Sequence, residues 1–239
     1  MKRLHAENEA ITMTPTIIDV DFAENAEPRG PAILIVDTSS SMSGKKIEAL
    51  NRGLEQFASE LAADNLARKR VDVAVVSFGG TVKTVCDFTN AESFLAPTLQ
   101  ADGGTPMGEA VVRAVTMLEQ RKMQYRAAGI AYYRPWLFLI TDGEPTDDGS
   151  HYWQDAIALI HEGEMKGKLS FFGVGVEEAN MKRLNLLCPP KRPAMKLRGL
   201  CFRELFSWLS SSLKAVSSST PGAASLTLPS SAGWSSIDL

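Results

Sequence analysis

Ala32-Ile33-Leu34-Ile35-Val36-Asp37-Thr38-Ser39-Ser40-Ser41-Met42-Ser43-Gly44 is the stretch on which the fold turns. A run of apolar, partly β-branched residues ends abruptly in an acid and a cluster of hydroxyls. A short apolar run bounded by turn-formers suits a strand covered on both faces. Downstream, Ile47, Leu50, Leu54, Phe57, Ala58 and Leu61 recur at three- and four-residue steps, which gives one apolar face to a helix of about five turns. A buried strand running into such a helix is the junction of an α/β layer fold, and these junctions are where α/β proteins place their sites.

Outward from this junction the pattern repeats. Val71–Phe78 and Thr81–Phe88 are two β-rich runs joined at Gly79-Gly80, the sign of a tight hairpin and of one antiparallel edge strand. A loop with Asp102-Gly103-Gly104-Thr105-Pro106 precedes a second long helix marked by Met107, Ala110, Val111, Ala114, Met117 and Leu118, with Pro106 suited to its first turn. Trp136–Ile140 is another buried strand, ending in Thr141-Asp142-Gly143-Glu144-Pro145-Thr146-Asp147-Asp148 before a helix through Ala156, Ile157, Leu159 and Ile160. Leu169–Val176 reads as a further strand, and Phe202, Leu205, Phe206, Leu209, Leu213 and Val216 form the apolar face of a closing helix. The expected architecture is a doubly wound, mostly parallel sheet with one antiparallel edge strand and helices on both faces, spanning residues 31–216.

Two segments flank this domain. Residues 1–30 are polar and form an extension in which Ile18, Val20 and Phe22 alternate with Asp19 and Asp21, the period of a half-buried edge strand. Residues 217–239 are rich in Ser, Pro, Gly and Ala, a composition expected to stay disordered.

Composition narrows the functional classes. The chain has 239 residues, 44% of them hydrophobic, with a formal net charge of -3 and no basic stripe for a phosphate backbone, so nucleic acid is not expected as a partner. Cys86, Cys188 and Cys201 are odd in number and widely spaced, which indicates neither a disulfide framework nor a zinc site and suits a reducing cytosol. Glu7, Asn8 and Glu9 stand where a signal peptide needs its apolar region, and no run approaches the length of a membrane span. The chain reads as soluble and cytoplasmic, without a membrane partner.

In a parallel sheet of right-handed βαβ units the loops leaving strand ends share one edge, so Asp37 and Asp142 can meet there, and the Gly-Gly-Thr-Pro loop can join them. Asp37, Ser39, Ser41, Thr105 and Asp142 together offer two carboxylates and three hydroxyls, with no imidazole or thiolate. That all-oxygen set suits a hard divalent cation, Mg²⁺ first, with Mn²⁺ or Ca²⁺ as alternatives, and leaves a coordination position open. The alternate spacing of Asp37, Ser39 and Ser41 points these side chains the same way, with Thr38 and Ser40 turned elsewhere.

These residues carry a family resemblance. Asp37-Thr38-Ser39-Ser40-Ser41 is similar to the Asp-x-Ser-x-Ser signature of von Willebrand factor A domains, and Thr105 and Asp142 stand where that family's Thr and Asp complete a metal-ion-dependent adhesion site. Gly103-Gly104-Thr105-Pro106-Met107-Gly108, Thr141–Asp147 and Phe206–Ser212 resemble the TerY-like group of bacterial tellurite-resistance and stress-response proteins. The resemblance covers about residues 30–216 and implies metal-dependent protein binding, in which a partner supplies an acidic side chain to the open metal position. It further implies association with a metal-dependent protein phosphatase or a Ser/Thr kinase.

Taken singly, each site residue has a plainer use. Asp37 and the serines could cap the following helix, Thr105 could be an N-cap before Pro106, and Asp142-Gly143 could be a turn. Jointly, five such residues in one family's order favour the metal site. Glu144, Asp147 and Asp148 stay outside the expected ligand set, as a solvated loop or a helix start. Enzymatic alternatives fit less well. A phosphatase of the haloacid dehalogenase type needs a second acid two residues after its Asp, where this chain has Ser39. No Gly-x-Ser-x-Gly is present, His5, His151 and His161 show no link to the serine cluster, and Gly44-Lys45 lacks the upstream Gly of a P-loop. A metal-dependent phosphohydrolase is the runner-up to a non-enzymatic binding module.

Overall fold

The computed structural model describes residue 22, residues 25–222 and residues 227–236. Among these, β1 (Gly30–Asp37) leads into α1 (Lys45–Ala62), a short α2 (Ala67–Arg70), and the hairpin β2 (Val71–Gly79) and β3 (Thr81–Asn90). Then come α3 (Met107–Ala127), β4 (Trp136–Thr141), α4 (His151–Met165), β5 (Ser170–Gly175), α5 (Met181–Leu187), β6 (Met195–Leu197), α6 (Phe202–Ser217) and β7 (Ser235–Ser236). The strands make a seven-stranded sheet in the order β3-β2-β1-β4-β5-β6-β7. β1 pairs in parallel with β2 on one side and β4 on the other, and β3 is antiparallel to β2, as the Gly79-Gly80 turn requires. The chain therefore reverses its lateral progress at β1, and the crevice between the carboxyl ends of β1 and β4 is the topological switch point.

The two faces of the sheet are covered separately because side chains alternate along a strand. Leu34 and Val36 join Leu50, Leu54 and Phe57 of α1 and Phe202, Phe206 and Leu209 of α6 in one buried cluster. Ile33 and Ile35 pack on the other face with Ala110, Val111 and Ala114 of α3 and Trp153, Ala156 and Ile160 of α4. Every residue of β1 is buried, which accounts for its unbroken apolar character. Helices α1 and α6 approach closely at Gly53, where a β-carbon would lie 2.4 Å from the Phe206 ring. Beside that contact Glu60 of α1 accepts from Ser207 at 3.0 Å, from Gln56 at 2.6 Å and from Ser210 of α6.

At the amino-terminal end of β2, Asp72 is fully buried and fully partnered. Arg29 donates to Oδ1 at 3.1 Å, while Arg121 at 2.9 Å and the Tyr125 hydroxyl at 2.6 Å donate to Oδ2. The guanidinium of Arg121 also lies 4.5 Å from the ring centre of Phe22. The edge strand expected over residues 18–22 lies outside the described residues except for Phe22, which is buried with Tyr125 and Ile130.

Residues 227–236 of the Ser-rich tail differ from their compositional expectation of disorder. Trp234 is 2% exposed and packs on Trp208 of α6, their ring centres 5.3 Å apart. The indole of Trp208 donates to Pro229 O at 2.8 Å, and β7 adds an antiparallel pair to β6. One buried tryptophan supplies apolar area that a tally of serines and prolines conceals. Among the described residues no helix is long and apolar enough to cross a membrane.

Candidate functional site

β1 ends in Asp37, which is fully buried. The Ser39 N–H donates to its Oδ1 at 2.8 Å, and the Thr141 hydroxyl, at the end of β4, donates to its Oδ2 at 2.5 Å. Burial pushes the Asp37 carboxyl above its ordinary range; the bonds from Ser39 and Thr141 oppose the rise, and the nearby charge of Asp142 adds to it. After Asp37 the backbone is extended at Ser39 and then makes a tight turn over Ser40–Met42, anchored by the buried Met42. Ser39 Oγ and Ser41 Oγ lie 3.0 Å apart, and Ser41 donates to Asp142 Oδ1 at 2.6 Å. The intervening Ser40 is exposed.

Thr105 reaches this cluster because its loop is pinned from two sides. Ser40 N–H donates to Gly103 O at 2.9 Å, Asp102 N–H to Thr38 O at 2.8 Å, and Gly80 N–H to Gly104 O at 2.8 Å. Gly103 has φ 69° and passes so near the hairpin that a β-carbon on it would lie 2.4 Å from Gly80 Cα, so only glycine fits. Thr105 is 5% exposed and exchanges bonds with Thr146: its N–H donates to Oγ1 at 3.1 Å, and Thr146 N–H donates to its carbonyl at 2.9 Å. A β-carbon on Gly143 would come 3.3 Å from Thr105 Oγ1 and 3.7 Å from Asp37 Oδ2, so hydroxyl and carboxylate face the same residue. All five sequence-selected side chains thus meet at the switch point.

The plainer uses of these residues are taken by others. Gly44, with φ 73° and no side chain, stands at the N-cap of α1. Asp147 covers the start of α3, its Oδ1 accepting from Gly108 N–H at 3.1 Å and its Oδ2 from Glu109 N–H at 2.9 Å. That arrangement satisfies helix donors otherwise left to Thr105. Asp37 closes only a local turn through Ser39.

Four residues outside the expected set also belong here: Thr141, Asp147, Lys46 and Glu177. Lys46, on the first turn of α1, donates to Asp142 Oδ2 at 2.6 Å and lies 3.3 Å from Glu177 Oε2. Burial works to lower the Lys46 ammonium, but its bond to Asp142 and the charges of Asp142 and Glu177 outweigh this and raise it. Asp147 and Thr141 flank Asp142 in sequence, so their polar types in one loop were the available signal. Lys46 gave none, since a lysine on an exposed first turn is ordinary.

Two carboxylates, three hydroxyls and no sulfur or imidazole fit a hard divalent cation. Among the described residues no group of three or more His, Cys, Asp or Glu side chains is placed to hold a metal, so a cation at this edge would rely on neutral oxygens for part of its shell.

Comparison with known proteins agrees with this architecture. Residues 33–198 match the von Willebrand factor type A domain family. Human inter-alpha-trypsin inhibitor heavy chain H6 is 28% identical over 140 residues, 54% of this chain and 11% of that protein. Heavy chain H4 from Sus scrofa is 29% identical over 122 residues, 48% of this chain and 12% of that protein. The chain therefore corresponds to only a small part of these relatives. Among solved structures, the pilus adhesin SpaC of Lactobacillus rhamnosus GG superposes with a TM-score of 0.61 at 14% identity, over 80% of this chain and 31% of that one. A von Willebrand factor type A protein from Catenulispora acidiphila gives 0.59 at 16% identity, over 79% of this chain and 43% of that one. At such identities the likeness is one of fold. With a family match covering most of the sheet and its helices, the chain belongs to the von Willebrand factor type A domain family, a family of protein-interaction and adhesion modules.

Proposed function

We propose that Asp37, Ser39, Ser41, Thr105 and Asp142 hold a divalent cation, Mg²⁺ in the first place and Mn²⁺ or Ca²⁺ as substitutes, through which the domain binds a protein partner. The observation that carries the reading is the meeting of Ser41 and Asp142 at 2.6 Å beside a Thr105 whose capping work is done by Asp147. Bound there, the ion would supply an electrophilic position for a carboxylate oxygen of the partner. Asp37 and Asp142 would balance its charge, and the neutral hydroxyls would leave its coordination shell short of saturation.

A non-catalytic role is the reading these residues favour, since the position of a second acid is held by the hydroxyl of Ser39, which bonds to Ser41. The tellurite-resistance context and a kinase or phosphatase partner rest on the sequence resemblance alone, and the cytosolic setting rests on the cysteine pattern and the polar N-terminal residues. None of the relatives named above carries those descriptions.

Calorimetric titration of the purified chain with Mg²⁺ and Mn²⁺ tests the reading. Saturable heat that vanishes in Asp37→Asn supports it. Absence of heat for both ions, with the chain folded, overturns it. Protein capture that depends on the ion and is lost in the same variant tests the partner half, and Mg²⁺-dependent phosphatase turnover lost in Asp37→Asn would favour the enzyme instead.

A further inference from the structure

Lys46 brings a fixed positive charge into the cluster from α1. Its side chain is 18% exposed, and the Asp142 carboxylate it holds at 2.6 Å is 0% exposed. Asp142 Oδ1 is taken by Ser41, so the ammonium occupies the second carboxylate oxygen. On its other side stands Glu177, 3.3 Å away and 39% exposed. Glu177 adopts φ 43°, the one positive value outside glycine among the described residues, and bulky side chains avoid that region. The preceding residue, Val176, is tied to the β4 end by its N–H, which donates to Thr141 O at 2.8 Å next to Asp142. A strained backbone thus presents a carboxylate to the lysine from the outside while Asp142 holds it from the inside.

An ammonium and a divalent ion at contact distance on one carboxylate repel strongly in a water-poor site. We infer that Lys46 is a tethered counter-cation that competes with the divalent ion for Asp142, and that Glu177 is the acceptor onto which its ammonium withdraws when the ion binds. The pair sets the affinity of the site: Lys46 lowers it, and Glu177 relieves part of that penalty. This inference rests on the metal reading above. It differs from that reading in its residues, since neither Lys46 nor Glu177 contributes to the proposed ligand set.

Mg²⁺ and Mn²⁺ affinities by calorimetry, with thermal unfolding in EDTA, test it in the full chain. Lys46→Met should bind Mg²⁺ about ten-fold more tightly and unfold at a lower temperature in EDTA, because two acids then lack a cation between them. Lys46→Gln should move both quantities the same way and serves if the Met variant does not fold. Glu177→Gln should weaken Mg²⁺ binding when Lys46 is present and do so less in the Lys46→Met background, a coupling read from the double-mutant cycle. Mg²⁺ affinity unchanged or weakened in both lysine variants, with the parent chain binding the ion, overturns the inference and leaves the metal reading standing. Additive effects of Lys46→Met and Glu177→Gln overturn the role of Glu177. If neither the parent chain nor any variant binds either ion, the metal reading falls and takes this inference with it.

Discussion

Ser41 Oγ and Asp142 Oδ1 lie 2.6 Å apart although 101 positions separate the two residues in the chain. The bond ties the loop after β1 to the loop after β4, the two strands between which the sheet reverses its order. Each loop is anchored by a fully buried strand, so the contact is set by the sheet and not by loop preference.

Asp37→Asn should abolish Mg²⁺-dependent stabilisation while leaving the fold intact in EDTA. The Asp37 carboxyl is raised by burial, so its ionised form is less favourable in the folded chain than in the unfolded one. That penalty is present where the pH lies above the raised folded value and disappears as the pH falls below the ordinary carboxylate value of 3.8. The unfolding temperature of Asp37→Asn at pH 7 in EDTA should therefore equal or exceed that of the parent. Loss of the folded circular dichroism signal would contradict this.

Thr105→Val should weaken Mg²⁺ binding, and Thr105→Ser should preserve it. Because Asp147 covers the start of α3, Thr105→Val should shift stability in EDTA by less than the loss of a cap, about 1 kcal/mol. Calorimetry beside thermal unfolding distinguishes the roles: unchanged affinity in Thr105→Val removes Thr105 from the site.

Asp147→Ala removes the acceptor of two helix N–H groups and a negative charge at a helix N-terminus. The expected cost is about 1 kcal/mol, or a fall of about 2–4 °C in unfolding temperature for a domain of this size. Mg²⁺ affinity should fall less than in Thr105→Val. The reverse ranking would place Asp147 among the ligands.

Trp234→Ala should destabilise the chain by about 3 kcal/mol, since the side chain is buried against Trp208. Trp234→Phe should cost much less, because it keeps the ring contact. Urea unfolding of both variants checks this, and an Ala variant as stable as the parent would mean that the tail contributes no packing.

Glu60→Gln should flatten the acid limb of the stability profile. Burial works to raise the Glu60 carboxyl, but the bonds from Ser210, Gln56 and Ser207 outweigh it and hold the group below its usual 4.5. A depressed folded value means stability that is present above pH 4.5 and is lost as the pH falls through the folded value. Unfolding temperatures between neutral pH and pH 3 should therefore fall more steeply for the parent than for Glu60→Gln.

The sheet and its long helices were legible because their periods are strong. The unbroken apolar run of β1 and the three- and four-residue steps of α1 each admit one structure of their length. The short elements were not: α2 and α5 span four and seven residues and β6 only three, too few for a period to show. The convergence of Asp37, Ser39, Ser41, Thr105 and Asp142 was readable from strand ends, since topology alone sends them to one edge. Lys46 and Glu177 were not readable, because what brings them together is the rotation of α1 over the sheet and a left-handed residue after β5. Trp234 was hidden for a third reason. Composition averages over a segment, and one aromatic ring can fix a segment that its average would leave free.

The two wholly buried aspartates of the central strands, Asp37 and Asp72, sit at opposite ends of the sheet and are treated in opposite ways. Asp72 is met by two guanidiniums, so its end of the molecule is electrically closed. Asp37 is met by the Ser39 amide and by the hydroxyls of Ser39 and Thr141, which solvate its charge without cancelling it. The two ends are thus neutralised to different degrees, since the ammonium at the Asp37 end, Lys46, is held by Asp142 and Glu177. The one buried carboxylate is closed to further cations, and the other keeps its charge for whatever reaches the switch point.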